Sequence, residues 1–264
     1  MAQHRRHAGA IRRSAPSSAW LNRTIQPGWT SNNWSGYAIQ RRKRGSFYSI
    51  SGCWTVPRIK PGKTNRYASS WIGIDGYTNS ALIQTGTEQE VENGKTVYYP
   101  WWEILPNTET RIAYPVSPLD NMYAKITRLS KRKWMIVLAN KTKGWVFKTI
   151  QRYTGPGQSA EWIMEAPTNG GSIAILANYG TITFRRCRVN GRPPGLRRTD
   201  RGIMVQNGRT VSTPSLPGKG RDNFTIAYGS RIPRPPKQGT CRFERKRLSP
   251  SQAGKASLHA EVEL

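Results

Sequence analysis

Two carboxylates and one amide stand out in a chain with few acids. Glu161 and Glu165 lie in SAEWIMEAP (Ser159–Pro167), and Gln84 lies in ALIQTG (Ala81–Gly86). An ionised glutamate can take a proton from water, and a primary amide can donate a hydrogen bond to an oxygen that is gaining charge. Set over one water, such a pair could hydrolyse an acyl bond. No cofactor or metal is expected to assist. The histidines His4, His7 and His259 sit near the termini, and Cys53, Cys187 and Cys241 lack metal-ligand spacing.

That chemistry needs strands of the right parity. In a strand over Ala160–Ala166, Glu161, Ile163 and Glu165 share one face, and Trp162 and Met164 take the other. Leu82, Gln84 and Gly86 likewise oppose Ile83 and Thr85. Tyr99, Trp101 and Glu103 fall together in Val97–Glu103, and Trp71, Gly73 and Asp75 are expected beside them. A face mixing Trp, Tyr, Gln and acids is costly to bury unless its polar atoms meet partners or a ligand, so it is a candidate groove. A binding-only sandwich with hydrogen-bonded acids would show much the same pattern. The catalytic reading further expects Gln84 and Glu165 to reach one water from adjoining strands.

The elements around these motifs are short and separated by turn-rich sequence. Strands are expected near Phe47–Val56, Ser69–Ile74, Ala81–Thr87, Thr96–Glu103, Met122–Arg128, Trp134–Leu138, Gly144–Gln151, Ala160–Ala166, Ile173–Leu176, Gly180–Arg185 and Asn223–Tyr228. Such spacing predicts an all-β fold of antiparallel sheets. No glycine-rich phosphate loop joins a strand to a helical pattern, which argues against a nucleotide fold. Arg41–Arg44 and Lys131–Lys133 read as solvated hairpin turns. The expected organisation is a basic flexible arm (1–27), one sandwich domain (28–229) and a disordered basic, Pro-rich tail (230–264).

Lys and Arg total 42 against 14 Asp and Glu, a net charge of +28 at pH 7. That balance favours nonspecific polyanion binding through basic turns and tails. It also leaves few carboxylate salt bridges to lose in acid. No apolar run forms a signal h-region or a membrane span. Cys53–Cys187 is a conceivable bridge, and the redox compartment stays open.

Five segments, in order, resemble the motifs of one family. NNWSGY (Asn32–Tyr37), SSWIGIDGY (Ser69–Tyr77), ALIQTG, YYPWWEILP (Tyr98–Pro106) and SAEWIMEAP are similar to those of the glutamic peptidases, family G1 or eqolisins. The likeness covers roughly Trp34 to Tyr228. It implies an antiparallel β-sandwich of two curved sheets, concanavalin- or legume-lectin-like. The implied activity is that of a secreted, extracellular, monomeric endopeptidase working in acid on unfolded or extended polypeptides, although no signal segment is visible. By motif position, the catalytic pair is Gln84 and Glu165. Trp34, Trp71, Asp75, Trp101, Glu103 and Glu161 are the implied supporting or substrate-binding residues. Trp102, Ile104 and Leu105 stand where relatives often carry aromatics, so the subsites are expected to differ. Relatives are commonly made as precursors, and the arm 1–27 would be a remnant or replacement of that segment.

The resemblance also implies a mechanism, in which Glu165 deprotonates the attacking water, Gln84 donates to the oxyanion, and Glu165 then protonates the leaving amine. Two alternatives remain open at this level. One is a non-catalytic carbohydrate- or peptide-binding sandwich, and the other a nonspecific nucleic-acid binder that uses Lys, Arg and aromatic side chains.

Overall fold

The computed structural model describes Ile11–Arg12 and residues 27–237. The expected arm and tail therefore fall largely outside the described residues. The first strands are β1 (Ile11–Arg12), β2 (Trp29–Ser31), β3 (Trp34–Gln40), β4 (Ser49–Thr55), β5 (Arg66–Asp75) and β6 (Leu82–Glu92). Next come β7 (Lys95–Ile104), β8 (Thr110–Arg111), β9 (Asn121–Arg128), β10 (Lys133–Asn140), β11 (Trp145–Arg152) and β12 (Ser159–Glu165). The chain continues with β13 (Thr168–Asn169), β14 (Ser172–Ile173), β15 (Thr181–Val189), β16 (Arg201–Gln206), β17 (Arg209–Pro214) and β18 (Phe224–Tyr228). A single 3-10 turn at Arg198–Asp200 is the only helical segment among the described residues.

The strands form one long, mainly antiparallel sheet that folds back on itself. Its front half runs β16-β3-β12-β5-β6-β7-β8 and its back half β11-β10-β9-β4-β15-β18-β17, joined through the β16–β17 pair. A register shift between Met204 and Val205 marks that junction, where a bulge lets a strand bend. The two halves pack as a sandwich because each strand supplies an apolar row to the interior. Ile72, Ile74, Ile83, Trp162 and Met164 from the front meet Ile50, Trp54, Ile126, Ile136 and Phe184 from the back. Polar ties cross this core: Trp162 Nε1 donates to the Ser51 carbonyl at 3.0 Å, and Trp54 Nε1 to Thr87 Oγ1 at 3.2 Å.

A second apolar cluster lies on the other side of the front half. Trp29, Trp34, Trp71, Leu82, Trp101 and Ile163 belong to it. Strand parity thus divides Trp162 and Met164 from Ile163, and Ile83 from Leu82.

Gly86 shows how tightly the front half is built. A Cβ there would lie 2.3 Å from the Ser70 carbonyl oxygen and 2.5 Å from Trp71 Cβ. Backbone and a neighbouring Cβ cannot swing aside as a side-chain tip can. We expect Gly86→Ala to cost at least about 1–3 kcal/mol, seen as a lower midpoint in denaturant unfolding.

Some sequence expectations need correction. Lys131–Lys133 does close the β9–β10 hairpin, but Arg41–Arg44 joins β3 to β4, which pair with different strands in opposite halves. It is an exposed turn at a crossover between halves. Of Ile173–Leu176, only Ile173 is in a strand, and Leu176 makes an isolated bridge to Tyr67. Strands β2, β16 and β17 were not expected. The last two form a hairpin over Asn207-Gly208, both at positive φ (50° and 72°), the conformation that an Asn-Gly turn supplies. Cys187 is a free, buried thiol, so it does not bridge to Cys53, which is itself disulfide-bonded.

Candidate active site

The front half brings the chemistry together because β12, β5, β6 and β7 are neighbours in register. Glu165 stands opposite Trp34 on β3 and Ser69 on β5. Gln84 stands opposite Gly73 on β5 and Glu103 on β7. Both side chains therefore face the groove side of the sheet. Their strands do not adjoin, contrary to the expectation of adjoining strands: β5 lies between them, and the two residues are offset by four positions along it. Trp71, midway along that offset, fills the intervening position.

Each member of the pair is oriented by its own partners. Trp71 Nε1 donates to Glu165 Oε2 at 2.7 Å, and Asn33 Nδ2 donates to Oε1 at 3.2 Å. A donor on each oxygen fixes the carboxylate plane. Gln84 Nε2 donates to Glu103 Oε2 at 2.6 Å. A primary amide has two N–H bonds, so committing one to Glu103 sets where the other points.

The remaining expected residues divide between these partners and other duties. Trp34 packs edge-on against Trp71, with centroids 4.9 Å apart and planes at 75°. Trp101 is fully buried on β7, opposite Gly86. Asp75, at φ 72°, accepts from Tyr153 Oη (2.7 Å), the Gly157 and Gln158 amides (2.8 and 2.9 Å) and Asn79 Nδ2 (3.2 Å). It ties β5 to the 153–158 loop rather than touching Gln84 or Glu165. Glu161 is fully buried opposite Gly73 and Ala38. Burial, reinforced by the nearby Asp75 charge and opposed by the Ser159 hydroxyl, pushes its pKa well above the usual carboxylate range.

Sequence reasoning passed over several groups on this face. Asn33 is the second donor to Glu165, and Ser31 Oγ aims it by donating to Asn33 Oδ1 at 2.9 Å. Asn33 lies inside the quoted NNWSGY motif, but only Trp34 was singled out there. Glu88 and Glu90 continue the Gln84–Gly86 alternation along β6 and are fully buried. Tyr99 Oη lies 2.8 Å from Glu90 Oε1 and 3.0 Å from Glu109 Oε1, with the Arg111 guanidinium over its ring. The period-2 pattern of β6 carried this signal, had the strand been extended past Thr87.

Six of the fourteen acids, Asp75, Glu88, Glu90, Glu103, Glu161 and Glu165, are thus fully buried on strands β5, β6, β7 and β12. Closure to solvent makes each fixed dipole count for more than it would in water. Trp71→Phe keeps the ring but removes the 2.7 Å donor. We expect about a tenfold fall in kcat together with a lower folding midpoint, because the buried Glu165 carboxylate loses a donor, read from steady-state cleavage and thermal unfolding.

Residues 32–228 match the family model of the Peptidase A4 family. Aspergillopepsin-2 of Aspergillus niger is 26% identical over 232 residues, covering 75% of this chain and 78% of its own length. Scytalido-glutamic peptidase, solved with a transition-state analogue inhibitor, superposes with a TM-score of 0.63 at 22% identity, over 75% of this chain and 98% of its own. Aspergilloglutamic peptidase from Aspergillus niger gives 0.54 at 26% identity, over 62% of this chain and 99% of its own. With the match spanning every strand that positions the buried acids and Gln84, the chain belongs to the Peptidase A4 (eqolisin) family and is a glutamic peptidase.

Proposed function

We propose that this protein is an acid-active endopeptidase in which Glu165 and Gln84 act on one water. The observation that carries this reading is their common side of the front half, each side chain held by a separate partner, Trp71 for Glu165 and Glu103 for Gln84. Glu165 accepts a proton as the water attacks the scissile carbonyl, and later returns it to the departing amine. Gln84 donates its second N–H to the oxyanion, whose charge develops only in the tetrahedral state, so the bond stabilises that state selectively. Trp34, Trp71 and Trp101 are fully buried here and would meet an extended polypeptide substrate only once the groove opens. Because the pair is buried, substrate must displace whatever chain now shields it.

Supporting features sit elsewhere in the fold. A protonated Glu161 suits operation in acid. The disulfide at Cys53 suits an oxidising compartment, in keeping with action outside the cell. No helix among the described residues is long and apolar enough to cross a membrane. Both proposed catalytic groups come from one chain, so a monomer suffices. None of the eleven described Asp and Glu side chains is exposed, so the outer surface carries mainly positive charge. Salt-sensitive association with polyanions at neutral pH follows as a side property. Hydrolysis of an unfolded protein between about pH 2 and 6, lost in Glu165→Gln and Gln84→Ala, tests the reading. Undiminished cleavage by both variants would reject it.

A further inference from the structure

The face of the back half turned away from the groove carries a cleft of about 250 Å³ that the peptidase reading does not use. Its walls include Ser49, Ser51, Tyr123, Lys125, Arg186 and Arg188. Strand parity puts Ser49 and Ser51 outward on β4 while Ile50 enters the core, and Tyr123 and Lys125 outward on β9 between Met122, Ala124 and Ile126.

Strand β15 breaks that alternation. Arg185 pairs with Cys53 but Arg188 with Ser51, so three residues on β15 span two on β4. The extra residue is a β-bulge, and Arg186 sits in it at φ 47°, in the left-handed region. Such a backbone is disfavoured for a long side chain. Its effect is to turn both Arg185 and Arg186 out of the core before Cys187 drops into it and Arg188 emerges again. Three guanidiniums in four residues thereby leave the same side of one strand, where unbroken alternation from Ile182 and Phe184 would turn Arg186 and Arg188 inward. Bulges commonly re-aim side chains in this way.

Little balances that charge among the described residues. Among the described residues, the one carboxylate within 4 Å of Lys125, Arg186 or Arg188 is Asp222, at the 4.0 Å limit from Arg188. The wall offers ammonium, guanidinium and hydroxyl donors around a concave space. Paired donors of this kind match the tetrahedral oxygens of phosphate or sulfate. We infer that the cleft bounded by Lys125, Tyr123, Arg186 and Arg188 binds a phosphate- or sulfate-class oxyanion, on the sheet face opposite the peptidase groove.

The test uses the full chain. Thermal midpoints are followed while sodium phosphate, sodium sulfate or glycerol phosphate replaces sodium chloride at constant ionic strength. Arg186→Gly and Lys125→Gln are run beside the wild type. Glycine suits the left-handed position, so Arg186→Gly removes the guanidinium without stressing the bulge. Saturable stabilisation by phosphate or sulfate is expected, weakened about tenfold or more in each variant, with proteolysis unchanged in both. Tighter binding of glycerol phosphate than of phosphate would identify an ester-bound group as the natural source, and equal binding a free oxyanion. Oxyanions no better than chloride in the wild type, or identical titrations in wild type and both variants, would overturn the assignment. Anion binding is measured without substrate, so failure of the Glu165 and Gln84 assignment would leave this result intact.

Discussion

Glu165→Gln should lower kcat by about 10^3–10^4-fold while KM changes little. The substitution is nearly isosteric and can retain one hydrogen bond, to Trp71 Nε1 or Asn33 Nδ2, through the new carbonyl oxygen. What it removes is the capacity to take up a proton. Folding should therefore survive, and the loss should fall on the chemical step. Gln84→Ala should cost about 10^2–10^3-fold, the scale of one lost oxyanion donor. It also leaves Glu103 Oε2 without its 2.6 Å donor in a buried site, so some stability should go with the activity. The asymmetry is diagnostic. A merely structural role for Glu165 would show as a lower unfolding midpoint with turnover preserved in the folded fraction. Steady-state kinetics beside thermal unfolding separate the two outcomes.

Glu161→Gln should flatten the pH dependence of stability. In the folded protein its pKa is raised, first by burial and then by Asp75, whereas in the unfolded chain it titrates near 4.5. Below that value both states hold the proton and the group adds no slope. As pH rises beyond it, the unfolded chain releases a proton that the folded protein keeps. Unfolding is then favoured by up to about 1.4 kcal/mol per pH unit until the folded-state pKa is passed. The wild type should thus lose stability from mild acid toward neutrality. Glutamine, neutral throughout, does not contribute this term. Midpoints of wild type and Glu161→Gln should converge near pH 4 and separate progressively toward pH 7, with the variant the more stable. Asp200, raised mainly by burial, leaves a smaller slope of the same sign in both proteins. Parallel curves over that range would mean that Glu161 is not held neutral. A buried acid of this kind ties the fold to acid conditions independently of catalysis.

Much of this arrangement was legible before any coordinates. Parity alone separated Glu161, Ile163 and Glu165 from Trp162 and Met164, because side chains in a strand alternate without exception short of a bulge. Most strand positions followed from turn residues and apolar alternation. The strand order did not. That Gln84 and Glu165 are separated by β5 depends on non-local pairing, which no local pattern encodes. Strands β16 and β17 carried an Asn207-Gly208 turn signal, but Arg201, Gln206 and Arg209 hid the apolar alternation around it. Asn33 escaped notice because its role depends on Ser31 aiming its amide across to β12. The bulge at Arg186 left no local signature, since Arg-Arg-Cys-Arg looks like an ordinary basic strand end. The charge of +28 was read as favouring polyanion binding through turns and tails, and composition could not show that six of the acids are buried around one groove.

Cleavage of an unfolded protein by wild type, Glu165→Gln, Gln84→Ala and the double variant, at one acid pH, tests the central claim most directly. Two groups serving one water act as a unit, so the double variant should be about as slow as Glu165→Gln alone, far short of the product of the separate losses. Turnover at the wild-type rate in both single variants, with folding intact, would contradict it.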